Sequence, residues 1–153
     1  QQLMSHYSSI GNEAVDTYTQ QLVEKYPNNR IANYCRGFAY YSKSEFDKAI
    51  EYFQKSTDID PNYADGVYNC AYCYYQNALE KAREISGKKM KSQAAINAAE
   101  AEVKGLFAKA APYFERYREM APTESDKWAS PLKVIYNNIG EKEKAAEMDA
   151  YTE

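Results

Sequence analysis

The sequence predicts an all-α protein built from helical hairpins that stack on one another. Two prolines, Pro27 and Pro61, lie 34 residues apart, which is the period of a helix–turn–helix repeat. The stretch 107–116 then repeats the pattern of 46–55, with Phe, Lys, Ala, Tyr and Phe at matching places. Because one hairpin cannot bury its apolar face alone, a stack of such hairpins is the expected architecture.

The composition limits the number of domains and the classes of partner that we expect. With 153 residues, of which 44% are hydrophobic and 27% charged, the chain is long enough for one domain with a core. A net charge of −3 gives no positive field to attract a polyanion, so we expect no nucleic-acid partner. No apolar run approaches the roughly 20 residues needed to span a bilayer, so we expect no membrane span.

The first predicted element, residues 1–29, is part of a hairpin. The spacing of Leu3, Tyr7, Ile10 and Gly11 matches that of Leu132, Tyr136, Ile139 and Gly140 near the other end. The chain begins with Gln1 and with a first-helix pattern. We therefore expect a piece of a longer protein whose N-terminal region is missing.

Residues 30–63 form the second predicted hairpin. Gly37 would let a neighbouring helix approach closely, and Tyr40 would fill the same face. A polar break at 42–44 ends the first helix. The second helix carries an apolar stripe at helical spacing: Phe46, Ala49, Ile50 and Phe53. Pro61 then stops it, because proline cannot continue a helix.

Residues 64–124 form a third hairpin with an insertion of about 27 residues over 76–104, since Pro61 and Pro122 are 61 residues apart. Helix-forming residues flank a Ser86–Gly87 stop, so both helices are expected to extend into a protruding arm. Five alanines are expected to bring the two halves of the arm together: Ala94, Ala95, Ala98, Ala99 and Ala101. Residues 125–153 form the terminal hairpin, whose last helix is polar as suits an open end.

The small and large residues Gly37, Tyr40, Ala49, Phe53 and Pro61 resemble the pattern of the tetratricopeptide repeat. The style of the whole chain is similar to tetratricopeptide-repeat proteins of bacteria. This resemblance implies a right-handed superhelical stack forming a single domain over 1–153. It also implies a non-catalytic module, with no cofactor, that binds a protein or peptide.

Two rows of aromatic residues are the candidate binding residues. Superposing the central copies by 34 residues pairs Tyr34 with Tyr68, Phe38 with Tyr72 and Tyr41 with Tyr75, an i, i+4, i+7 spacing in each first helix. In the family, this face forms the concave wall. The resemblance thus implies six rings lining one groove, with Asn69 and Gln76 bonding to a peptide backbone. The alternative is that the rings are ordinary packing.

Some family members hold a C-terminal carboxylate with Lys, Asn and Arg on successive first helices. At or near those places this chain has Tyr34, Phe38, Asp65 and Pro131, and only Asn69 agrees. The predicted groove therefore suits an extended or helical segment better than an acidic tail.

The cysteines and the single histidine indicate neither a metal site nor a redox site. Cys70 and Cys73 are spaced as C-x2-C but lie inside a predicted helix, whereas a redox thiol needs a helix N-terminus. Structural zinc needs four ligands, and only Cys35 and His6 remain. Three unpaired thiols favour a reducing compartment, the cytoplasm over the periplasm.

The charged residues are interpreted as ordinary surface. Lys88, Lys89 and Lys91 at the tip of the arm are typical of a helix C-terminus, although they could also touch an anionic partner. Scattered acidic residues are expected on solvated faces: Glu13, Asp16, Glu24, Glu45, Asp47 and Glu51. The sequence contains no phosphate-binding loop, dinucleotide fingerprint, zinc-protease motif or nucleophile elbow.

The predicted function is therefore a non-catalytic scaffold that binds a peptide or partner helix in an aromatic groove. A structural role is the alternative, in which the arm and the open ends drive self-association or dock other domains of a larger protein. A more distant alternative is an accessory fragment of an enzyme or of a surface-glycan uptake system, because Tyr and Trp surfaces also bind sugars.

Overall fold

The computed structural model describes residues 12–89 and 92–152. Over these ranges every regular element is helical, which confirms the all-α prediction. In chain order the elements are α1 (Asn12–Lys25), α2 (Arg30–Tyr41), α3 (Phe46–Ile59), α4 (Ala64–Ser86), α5 (Gln93–Met120), α6 (Ser125–Ile139) and α7 (Lys142–Glu147), followed by a 3-10 helix over Met148–Tyr151. The first-helix pattern from Leu3 to Gly11, His6 and Lys91 lie outside the described residues.

The chain divides into two compact units, one up to Gly66 and one from Val67 onward. The first contains α1, α2, α3 and the first residues of α4. The second contains the rest of α4 and the helices that follow it. The single-domain organisation stays a prediction.

The hairpin of α2 and α3 forms the core of the first unit. Asn29 caps α2 by accepting a hydrogen bond from the Ala32 amide at 3.0 Å, and α2 ends at Tyr41 just before the polar break. The predicted stripe of α3 is buried in full, with Ala49 and Phe53 completely inaccessible. Gly37 is needed for this packing, because a Cβ there would lie 2.8 Å from Cδ1 of Phe53.

We expect Gly37→Ala to destabilise the protein by about 1 kcal/mol or more. Alanine favours a helix over glycine by about 1 kcal/mol, but the buried Phe53 ring has no room to move, and overpacking costs about 1–3 kcal/mol. Gly105 in α5 is the matched control, since a Cβ there meets nothing within 4 Å. Gly105→Ala should stabilise by about 0.5–1 kcal/mol. Urea denaturation measures both, and equal effects would contradict the close contact.

A buried arginine joins α1 to α2. The Arg36 guanidinium donates to the Asp16 carboxylate at 2.5 Å, to the Thr19 hydroxyl at 3.2 Å and to the Tyr40 hydroxyl at 2.6 Å. Its side chain is only 6% exposed. Asp16, which was expected on a solvated face, is 37% exposed and also balances a cation that the core has removed from water.

In the second unit, α4 and α5 are long helices of 23 and 28 residues that contain most of the inserted segment, called the arm below; its protrusion stays a prediction. Ser92 caps α5, and Lys81 of α4 pairs with Glu102 of α5 at 3.0 Å. The arm buries Ala78, Ala99 and Val103. The expectation that five alanines close the arm is wrong for four of them: Ala94, Ala95, Ala98 and Ala101 are exposed. The helical period places them away from the inward positions 99 and 103.

The helices α6 and α7 complete the second unit. Trp128 of α6 is 1% exposed, and its indole nitrogen donates to the Ala121 carbonyl at 3.1 Å. The left-handed Gly140, with φ of 92°, ends α6. Met148 in the 3-10 helix is fully buried, so the chain remains packed up to that residue.

Candidate protein-binding surface

The first stripe consists of Tyr34, Phe38 and Tyr41 on α2, and all three are half-buried. The ring of Tyr34 lies 5.5 Å from that of Phe53 and 5.1 Å from that of Tyr63. Phe38 and Tyr41 are neighbours at 5.7 Å, and Tyr41 reaches Phe46 at 6.0 Å. Tyr34 and Tyr41 thus pack against rings of α3, Phe38 packs against Tyr41, and part of each ring's surface is accessible to solvent.

The second stripe consists of Tyr68, Tyr72 and Tyr75 on α4, which are also half-buried. Tyr72 lies 5.9 Å from Tyr68 and 6.3 Å from Tyr75. The two outer rings contact α5: Tyr68 is 4.9 Å from Tyr117, and Tyr75 is 6.1 Å from Phe107. Burial raises the pKa of Tyr68 and of Tyr75, so their hydroxyls are neutral donors at physiological pH.

Equivalent ring pairs recur in the two hairpins. The Tyr34–Phe53 pair at 5.5 Å corresponds to Tyr68–Phe114 at 6.3 Å. The Tyr41–Phe46 pair at 6.0 Å corresponds to Tyr75–Phe107 at 6.1 Å. The outer rings of each stripe therefore contribute to packing within their own hairpin, as the alternative interpretation expected, while the stripes remain partly accessible.

The buried face of α2 includes the polar residues Asn33 and Arg36, but the buried apolar side chains of both first helices are small. On α2 these are Ala32, Cys35 and Ala39, and on α4 they are Val67, Cys70, Ala71, Cys73 and Ala78. Large rings on the second helices, such as Phe53 and Phe114, fill the space opposite them. The large rings of the first helices lie at the edge of the core. A large side chain whose only role was to fill the core would be expected at the buried positions instead.

Polar groups accompany the second stripe. Asn69 and Gln76 are half-buried on α4. Near Tyr68, the Tyr117 hydroxyl donates to the Glu124 carboxylate at 2.8 Å, and Glu124 also pairs with Lys127. The Lys127 ammonium lies 5.8 Å from the centroid of the Tyr68 ring. Burial, followed by the bond to Glu124, raises the pKa of Tyr117 to about 12. Sequence reasoning missed this network because the turn after α5 brings Glu124 and Lys127 back to Tyr117, and Tyr68 comes from another helix.

The three cysteines are not arranged as a reactive-thiol site or a metal site. Cys35, Cys70 and Cys73 are free and buried. Burial raises the pKa of the Cys73 thiol, which disfavours a reactive thiolate. Within the ranges that the structure describes, no three His, Cys, Asp or Glu side chains are grouped to hold a metal ion.

None of the described helices has the length and apolar character to cross a membrane.

Residues 31–63 match the family model described as "Tetratricopeptide repeat". This stretch is therefore a tetratricopeptide repeat, a type of repeat that generally supports protein–protein interaction. The chain is also similar to a protein described as Photosystem I assembly protein Ycf3, from Rippkaea orientalis (strain PCC 8801 / RF-1). The two are 32% identical over 121 residues, which cover 76% of this chain and 62% of that protein. The chain thus spans less than two thirds of the length of this relative.

Proposed function

We propose that this chain is a non-catalytic interaction module that holds an extended or helical segment of another protein against its aromatic stripes. Each stripe is a binding surface in its own hairpin. The rings contribute the contact area, and Asn69 and Gln76 donate and accept hydrogen bonds with the backbone of the segment. Tyr and Phe suit this role because rigid rings lose little conformational entropy on binding.

One observation carries this proposal. Both hairpins place three large rings at the partly accessible edge of the first helix, while the buried apolar residues of that helix are only alanine, cysteine and valine. Hot spots of protein interfaces are enriched in such aromatic residues. A row with i, i+4, i+7 spacing presents them along about two turns of helix, which matches a segment of several residues.

The relative adds a biological context. Its name describes an assembly protein, and assembling a complex requires that subunits be held before they reach their final partners. We extend this general role to the chain: its partner is a segment of a subunit that becomes buried once a complex is complete. Weak, reversible contacts of aromatic rings suit such temporary holding better than an obligate interface.

We expect Tyr72→Ala to weaken partner binding about tenfold or more, because loss of an aromatic hot spot costs at least about 1–2 kcal/mol. The free energy of unfolding should change by only about 1 kcal/mol, since Tyr72 is half-buried. Peptides selected from a displayed random library on the wild-type chain supply the ligands. Fluorescence anisotropy then measures their affinity for each variant.

Tyr74→Ala is the matched control. Tyr74 is a half-buried tyrosine on the same helix, but it stacks on Tyr113 at 5.4 Å and points about 200° away from Tyr72 around the helix axis. Its removal should leave the affinity unchanged. Equal losses in both variants, or a failure to select any peptide, would contradict a binding role for the second stripe.

A further inference from the structure

A cleft in the first unit is not used by the function proposed above. Its volume is about 510 Å³, within the range of ligand-binding pockets. It lies among α1, α2 and α3, and its lining residues belong to neither aromatic stripe. Its aromatic and apolar lining consists of Val23, Pro27, Tyr52 and Ile59. Ile59 is 41% exposed, so apolar surface remains accessible to a ligand there.

Asn33 supplies a buried hydrogen-bond acceptor in this cleft. It lines the cleft and is only 2% exposed. Its amide nitrogen donates to the carbonyl oxygens of Pro27 at 2.8 Å and of Asn29 at 2.9 Å, which uses both of its hydrogens. Because both partners are acceptors, the amide must turn its nitrogen toward them and its oxygen away. No donor among the described residues reaches that oxygen, which retains access to solvent and is open to an N–H group of a ligand.

The charged groups of the cleft favour a cation. Glu24 of α1 and Asp58 of α3 are exposed carboxylates, and neither forms an ion pair with a described residue. Glu24 accepts a hydrogen bond from the Gln20 amide at 2.7 Å, which orients the carboxylate without neutralising it. Lys55, the cation among the described lining residues, is already paired with Glu51 at 2.7 Å. The cleft therefore presents two carboxylates that lack a cationic partner.

The equivalent position of the second unit shows what is particular to this cleft. Trp128 follows Pro122 by six residues, as Asn33 follows Pro27. The Trp128 indole donates to the Ala121 carbonyl at 3.1 Å, and an indole has no acceptor to offer. The buried acceptor is thus a property of the first unit.

We propose that this cleft binds an arginine side chain of a partner protein, with an apolar residue on each side of that arginine. The guanidinium donates to the Asn33 oxygen and to the carboxylates of Glu24 and Asp58. The apolar neighbours pack on Pro27 and Ile59. Arginine suits the cleft better than lysine, because its planar fork carries five donors for acceptors that come from three helices, and because a guanidinium is more weakly hydrated than an ammonium. This site is independent of the aromatic stripes, and neither proposal depends on the other.

Isothermal titration calorimetry of the whole chain tests this proposal with the acetylated and amidated peptide Ala-Leu-Arg-Leu-Ala. A second peptide carries citrulline, which keeps the shape of arginine without its charge, and a third carries lysine. We expect saturable binding of the arginine peptide. The citrulline peptide should bind about tenfold more weakly or worse, because charge-assisted hydrogen bonds are lost. The lysine peptide should bind more weakly than the arginine peptide.

Variants of the two carboxylates locate the binding. Glu24→Gln and Asp58→Asn should each weaken the arginine peptide about threefold, and the double variant should reduce it to the level of the citrulline peptide. Glu13→Gln is the matched control, since it removes an exposed carboxylate of the same helix outside the cleft and should leave the affinity unchanged.

Asn33→Leu tests the buried acceptor. This change also breaks the two hydrogen bonds to the carbonyls, so circular dichroism first checks that the variant is folded, and the carboxylate variants test the site if it is not. A folded Asn33→Leu variant should bind the arginine peptide about tenfold more weakly.

Three results would overturn the assignment. The first is the absence of saturable binding of the arginine peptide, and the second is equal affinity for the arginine and citrulline peptides. The third is wild-type affinity in the double carboxylate variant or in a folded Asn33→Leu variant. A loss in Glu13→Gln as large as in Glu24→Gln would mean that net charge, and not the cleft, attracts the peptide. Equal affinity for the lysine peptide would overturn the choice of a guanidinium.

Discussion

Phe53→Ala should lower the free energy of unfolding by about 3–5 kcal/mol. Phe53 is completely buried and lies directly on Gly37, so its loss leaves a cavity that the flanking helices cannot close. Phe114 is the equivalent residue of the second unit and is equally buried. Phe114→Ala should therefore have an effect of the same size, and urea denaturation of both variants measures it.

Phe38→Ala is the control for this prediction. It removes the same side chain, but from the half-buried edge of α2. The transfer and cavity costs both shrink with exposure, so we expect a much smaller loss of stability. A loss as large as that of Phe53→Ala would mean that the first stripe belongs to the core, which favours the structural alternative.

Asp16→Ala should cost about 2 kcal/mol through its partner Arg36. Without the carboxylate, a guanidinium that is nearly inaccessible retains only neutral acceptors, while its Nε already has no partner among the described residues. Removing one partner of a fully buried pair costs about 3–5 kcal/mol. The value is lower here because Asp16 is 37% exposed and water partly replaces it.

Asp60→Ala is the matched control for the ion pair. Asp60 pairs with Arg30 at the same 2.5 Å distance, but the Arg30 side chain is 37% exposed, against 6% for Arg36. The loss should be clearly smaller than for Asp16→Ala, because exposed pairs contribute little. Equal losses would mean that burial of Arg36 does not determine the energetics.

The contribution of Asp16 should depend on pH. Hydrogen bonds from Lys43, and then from Arg36, hold the pKa of Asp16 below its ordinary value. The folded state therefore binds this proton less readily than the unfolded chain. The stabilisation is complete above about pH 4 and is lost as the pH falls further. The stability difference between wild type and Asp16→Ala should accordingly shrink in acid.

The hairpins were predictable from the sequence because their signals are local. The spacing from Phe46 to Phe53 sets the buried face of α3, and Pro61 sets its end. The surplus of residues between Pro61 and Pro122 indicated the long helices of the arm. Each of these signals lies within one hairpin, so no knowledge of distant contacts was required.

The remaining features depend on helix phase and on contacts between distant segments. The alanine content predicted that the two helices of the arm pack closely. Which alanines are buried depends on the orientation of α5 about its own axis, which buries Ala99 and exposes Ala98. The pairing of Asp16 with Arg36 and the stacking of Arg118 on Trp128 each join different helices. An arginine between Cys35 and Gly37, two residues of a buried helix face, was the available sign of a buried charge.

The binding role of the stripes is tested most directly by placing a photo-crosslinking phenylalanine derivative at position 72 or 74 of the full-length protein in its own cells. We expect position 72, in the second stripe, to crosslink to another protein, and position 74, stacked on Tyr113, to give no such product. Equal products from both positions, none from position 72, or crosslinks only to a second copy of the chain would contradict the account.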